Sequence, residues 1–73
     1  MYLVLDISSY NLSDVQLLKQ ELMGWDTKVI SVELDNSEKT LTIWYNNKFN
    51  EIEFIELLGT YHMSTKSVIS WDH

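Results

Sequence analysis

The spacing of the apolar residues changes along this chain in a fixed order: a period of two, then of 3.6, then two again over two separate stretches, then 3.6, then two. Leu3, Leu5 and Ile7 alternate with Tyr2, Val4 and Asp6. That alternation predicts a strand with one buried face over residues 2–7. Val15, Leu18 and Leu22 then recur at helical spacing, with Leu17 and Met23 widening the stripe. Alternation returns over residues 27–34, where Ile30, Val32 and Leu34 oppose Val29, Ser31 and Glu33. It continues over residues 40–45, where Leu41, Ile43 and Tyr45 oppose Thr40, Thr42 and Trp44. Ile52, Ile55 and Leu58, joined by Leu57, make a second helical stripe. Residues 66–71 give a shorter fourth strand, with Val68, Ile69 and Trp71, whose facing the pattern leaves open.

Start and stop chemistry brackets both helices. Ser13 with Gln16 three residues on reads as a capping box, and Leu12 with Leu17 as a hydrophobic staple. Asp14 falls in the first turn, where the helix dipole favours a negative charge, and Gly24 suits the end. In the second helix Asn50 caps, Glu53 completes the box, Phe49 and Phe54 form the staple, and Gly59 ends it.

The polar turn at residues 35–39 is short, so the strands on either side of it pair as an antiparallel hairpin. Two β-α-β crossovers joined by a hairpin give an α+β fold, the ferredoxin-like βαββαβ sandwich, as a single domain over residues 1–73. Right-handed crossovers put both helices on one face of a four-stranded antiparallel sheet. The predicted sheet contribution to the core is Leu3, Leu5, Ile7, Ile30, Val32, Leu34, Leu41 and Ile43. The other face has no helix to cover it. It is predicted to carry Tyr2, Val4, Asp6, Val29, Ser31, Glu33, Thr40, Thr42 and Trp44.

Composition narrows the function classes. At 73 residues the chain builds one core, and with no cysteine it has neither a disulfide nor a thiolate metal site to staple it. Packing must hold it, and a hydrophobic content of 45% is enough to make disorder implausible. Eleven acids stand against five lysines and no arginine, a net charge of -6. Nucleic acids and anionic membranes are bound by neutralising phosphates with Lys and Arg, so neither is an expected partner. Tyr2 and Trp44 would share the open face in the manner of base-stacking aromatics, yet no positive groove lies beside them. Residues 2–5 are too short an apolar run for a signal, and no stretch nears the roughly 20 residues of a membrane span. A soluble, cytoplasmic protein is the expectation.

The length, the element order and the loop followed by a helix after strand one resemble a heavy-metal-associated domain, the fold of small copper chaperones and of metal-transport ATPase amino-terminal domains. The stretch VELDNSEKTLTIWY is similar to that family's second and third strands, where apolar alternation crosses an acidic turn. The resemblance covers almost the whole chain as a hydrophobic pattern. It implies a metal-carrying loop between strand one and helix one, bearing Met-x-Cys-x-x-Cys. Here that stretch reads Ile7-Ser8-Ser9-Tyr10-Asn11-Leu12-Ser13-Asp14, which has no thiol. The resemblance is therefore to a degenerate member without the family's copper site.

The candidate sites follow from these readings. An interaction face is expected at Tyr2, Val4, Val29, Thr42 and Trp44, apolar and aromatic side chains on an uncovered sheet, serving a protein partner or self-association. The alternative is a metal-binding or metal-carrier protein using His62, Met63 and His73, with Asp72 able to add an oxygen. Asn11 and Asp14 stand near the family's thiol positions and could touch a hard cation, although an Asp there also serves the helix start. Glu51, Glu53 and Glu56 cluster where the dipole and the capping box explain them. No nucleophile has an evident base, and two glycines cannot build a phosphate loop. No enzyme activity and no cofactor are expected.

Overall fold

Each change of period becomes a change of element. In a computed structural model describing residues 1–72, strand β1 (Tyr2–Asp6) leads to helix α1 (Leu12–Met23), and strands β2 (Val29–Asp35) and β3 (Thr40–Tyr45) follow as a hairpin. Helix α2 (Glu51–Thr60) comes next, then a single 3-10 turn (Thr65–Ser67) and strand β4 (Val68–Trp71). The sheet order is β2-β3-β1-β4, with every neighbouring pair antiparallel. This is the α+β, ferredoxin-like arrangement.

The core forms where the alternating strands meet the helical stripes. Leu3, Leu5 and Ile7 from the β1 side, Leu41, Ile43 and Tyr45 from β3, and Val15, Leu18 and Leu22 from α1 are all buried. The α2 stripe is rotated from the expected one. Phe54, Leu57 and Leu58 point in, while Ile52 and Ile55 are exposed. Burying the larger Phe54 ring extends an aromatic run, because Phe49 lies 5.5 Å from Phe54 and 4.4 Å from Tyr45, and Phe54 meets Trp71 edge-on at 5.8 Å. Trp25 joins the same run at 6.0 Å from Phe49.

Both edge strands carry a one-residue irregularity that alternation does not foresee. Val29 pairs with Tyr45 but Ser31 pairs with Trp44, so Ile30 is an extra residue in β2. A β-bulge of this kind resets which side chains face in. Val29 is thereby turned into the core and Ile30 is left 70% exposed, the reverse of the sequence expectation for both. Val32 and Leu34, beyond the bulge, keep their inward register opposite Ile43 and Leu41 and are half-buried. On the other edge Val4 pairs with Ser70 and Leu5 with Val68, so Ile69 is the extra residue of β4 and is exposed.

Gly24 ends α1 as expected, but the start of α1 and the end of α2 are set by other residues than the signatures suggest. Asn11, not Ser13, caps α1: its Oδ1 accepts from the Ser13 amide at 2.8 Å, and its carbonyl accepts from Val15 N–H. The helix thus starts too early for the Leu12–Leu17 staple, and both leucines are exposed. For α2 the cap and the staple are as expected, but the capping box is not, because both Glu53 carboxylate oxygens accept from Lys28 Nζ. The Asn50 side chain accepts from the amides of Ile52 and Glu53, and Phe49 packs on Phe54 as the staple. Gly59 does not end this helix. The chain runs to Thr60 and turns at His62, whose φ of 58° is left-handed. The Met63 N–H donates to the Leu58 carbonyl at 2.8 Å and the His62 N–H to the Gly59 carbonyl at 3.1 Å. That pair of bonds is a Schellman ending, with Met63 and Leu58 both buried in the core.

Candidate interaction face

With both helices on one side, the outward positions of the four strands form an uncovered surface. The register lays them out in rows. Tyr2 of β1 stands opposite Trp44 of β3, which stands opposite Ser31 of β2. The next row runs Ser70, Val4, Thr42 and Glu33, and the third runs Asp6, Thr40 and Asp35. At one end the rings of Tyr2 and Trp44 lie 5.1 Å apart with their planes tilted by 45°, a cross-strand aromatic contact. Trp44 remains 39% exposed, while Tyr2, Val4 and Thr42 are half-buried among their neighbours. Tyr2, Val4, Thr42 and Trp44 therefore share the face as expected, and Val29, turned inward by the Ile30 bulge, does not.

No family model, curated protein or solved structure matches this chain.

The opposite end of the face is anionic. Asp6 Oδ1 accepts from the Ser8 amide at 3.0 Å, and this bond to the backbone holds its carboxyl below the ordinary 3.8. Asp35 Oδ1 accepts from the Glu38 and Ser37 amides, each at 3.0 Å, and from Ser37 Oγ at 2.8 Å; its carboxyl is likewise held low, chiefly by the Glu38 amide. Both are charged at neutral pH. None of the five lysines lies in a strand. Lys28 is taken up on the helix side, where Nζ meets Glu53 Oε1 at 2.9 Å and sits 5.8 Å from the Trp25 ring centre. Lys39 lines a hollow with Tyr10, Leu12 and Val15 on the side of α1.

The residues of the metal alternative are not brought together. Met63 is 5% exposed and belongs to the core. His62 is exposed and its role is the backbone turn. His73 lies outside the described residues. Among the described residues no three His, Asp or Glu side chains group as metal ligands would. In the loop after β1, Asn11 serves as the α1 cap and Asp14 lies in the first turn of that helix. Tyr10 closes this loop: its hydroxyl accepts from the Ser64 amide at 2.9 Å and meets Ser67 Oγ, so the loop is tied to the 3-10 turn before β4. In the sequence Tyr10 is one more loop residue. Its partners lie more than fifty positions away, and no local pattern names them.

The hollows are shallow. One, about 300 Å³, lies where Met23 at the end of α1 meets the β2 bulge at Ile30. Another, about 240 Å³, opens beside Tyr45 and Phe49. There the Tyr45 hydroxyl accepts from Trp71 Nε1 at 2.8 Å and donates to the Asp72 carbonyl at 2.9 Å. Burial raises the Tyr45 hydroxyl above its ordinary 10.0, with Asp72 and Glu51 adding to the rise against the Trp71 bond. No described helix is long and apolar enough to cross a membrane.

Proposed function

We propose that this chain is a small non-catalytic interaction module that binds another protein through the uncovered face of its sheet. The single observation that carries the reading is the Tyr2–Trp44 pair, which lies at one end of β1 and β3 on the face no helix covers, with Trp44 39% exposed. Aromatic side chains on a rigid strand supply large contact area at little entropic cost, which is why Trp and Tyr anchor interfaces. Strands β1 and β3 are the two central strands of the sheet, so the backbone that presents the pair is paired on both sides. We read the relation to heavy-metal-associated domains as one of shape. Element order supports it, and a loop tied by Tyr10 takes the place of the thiol-bearing loop.

Charging the face tests the reading. Proteins captured by the wild-type chain in its source cells are compared with those captured by Trp44→Glu, after circular dichroism shows that both fold. The reading expects at least one partner lost with Trp44→Glu. Identical capture by the two forms, with both monomeric in sedimentation at every concentration, overturns it.

A further inference from the structure

Resting on that reading, we propose that the occupant of the face is an arginine-bearing cationic segment of another protein. The outward rows hold Asp6, Glu33 and Asp35 with no lysine among them, and the Tyr2–Trp44 pair lies at the end of the face away from Asp6 and Asp35. A guanidinium stacks on an aromatic face and pairs with a carboxylate in plane, so one side-chain type suits both ends. Tyr2 and Asp6 are four residues apart on one strand, a span of about 13 Å that an extended partner covers with side chains at i and i+4.

A second copy of the chain fits poorly. Facing sheets pack about 10 Å apart. The side chains of both faces project into that gap, so the carboxylates of two copies would come within the Debye length of about 8 Å in physiological salt and repel. Each copy carries a net charge of -6. Size also selects the occupant. Four strands of about five residues offer roughly 14 by 17 Å of face. That footprint is about what a single strand or helix laid across it covers.

The test is an NMR titration of the isotope-labelled chain with three peptides: Arg-Val-Arg-Val-Arg-Val-Arg and its counterparts with Gln or Glu in place of Arg. The expected result is amide shifts on β1, β2 and β3 with the Arg peptide, weakening with added salt, and none with the Glu peptide. In the double variant Asp6→Asn, Glu33→Gln the affinity falls about tenfold, the size of two partly exposed charge pairs. Equal binding of the Gln peptide overturns the cationic segment while leaving the face as an interaction site. Shifts centred on Glu51, Glu53 and Glu56, or spread over the whole chain, overturn it as adventitious charge attraction. Face shifts that grow with protein concentration alone overturn it in favour of a second copy. No binding by any peptide also overturns it, and the Trp44→Glu capture comparison then decides the broader reading on its own.

Discussion

Tyr45→Phe isolates what one hydroxyl contributes to the end of the sheet. The ring is 5% exposed and stacks on Phe49 at 4.4 Å, and phenylalanine keeps that packing. What is lost is the pair of hydrogen bonds from Trp71 Nε1 at 2.8 Å and to the Asp72 carbonyl at 2.9 Å, which join β3 to the end of β4. At about 0.5–1.5 kcal/mol net for each bond, the variant should lose about 1–3 kcal/mol. For a domain of this size each kcal/mol moves the melting midpoint by about 4–8 °C. Urea unfolding followed by tryptophan fluorescence measures the loss, and thermal melting checks it. The pH dependence is a second readout. Burial raises the Tyr45 hydroxyl above 10.0, so the unfolded tyrosine ionises as pH rises past that value while the folded one resists. Stability therefore falls on the alkaline side, and that fall should be shallower in the phenylalanine variant. A loss below about 0.5 kcal/mol, with an unchanged alkaline limb, would show that the two bonds contribute nothing net and refute the reasoning.

Two further predictions test the ends of elements. His62 holds a left-handed φ of 58° at the Schellman position, where glycine is the usual residue. His62→Gly should relieve that cost and, after the added entropy of the unfolded chain, stabilise by about 0.5 kcal/mol in thermal melts; a lowered midpoint would contradict it. Asp6 and Asp35 titrate below 3.8 in the folded chain, because backbone amides at Ser8 and Glu38 donate to them. Their contribution is whole above 3.8 and is lost as pH falls through the lower folded values, since there the unfolded chain takes up protons that the folded one resists. The double variant Asp6→Asn, Asp35→Asn should flatten the acid limb of urea midpoint against pH, and an unaltered limb would rule this out.

The order of elements is legible in the sequence because period is a property of many residues at once. A one-residue slip of β1 against β3 would turn either Leu3 and Leu5 or Leu41 and Ile43 out of the core. Details that hinge on one residue are not legible in the same way. Val29 and Ile30 are both β-branched and apolar, so nothing in their chemistry marks which one a bulge leaves outside. Asn11 and Ser13 are both good caps, and the choice is made by where Tyr10 anchors the preceding loop, through partners at Ser64 and Ser67. In α2 the spacing admits a stripe through Ile52 and Ile55 or one through Phe54, Leu57 and Leu58. The aromatic run from Trp25 to Trp71 selects the second, and only tertiary structure assembles that run. The uncovered face is legible at Tyr2, Val4, Thr42 and Trp44 for the same reason as the core: it is the other half of an alternation.

The bulges also bear on how the chain can bind. A sheet can recruit a partner at its edge, by main-chain hydrogen bonds, or on its face, by side chains. Edge recruitment needs a regular ladder to extend. Here one edge strand is interrupted at Ile30, and the other is four residues long and interrupted at Ile69. Interrupted or short edges are a known defence against strand addition. In the proposed reading, binding is thereby directed to the face, where aromatic rings and carboxylates rather than backbone pairing would choose the partner. Such a surface discriminates through charge, which is tunable by single substitutions at Asp6 or Glu33 that leave the core register untouched.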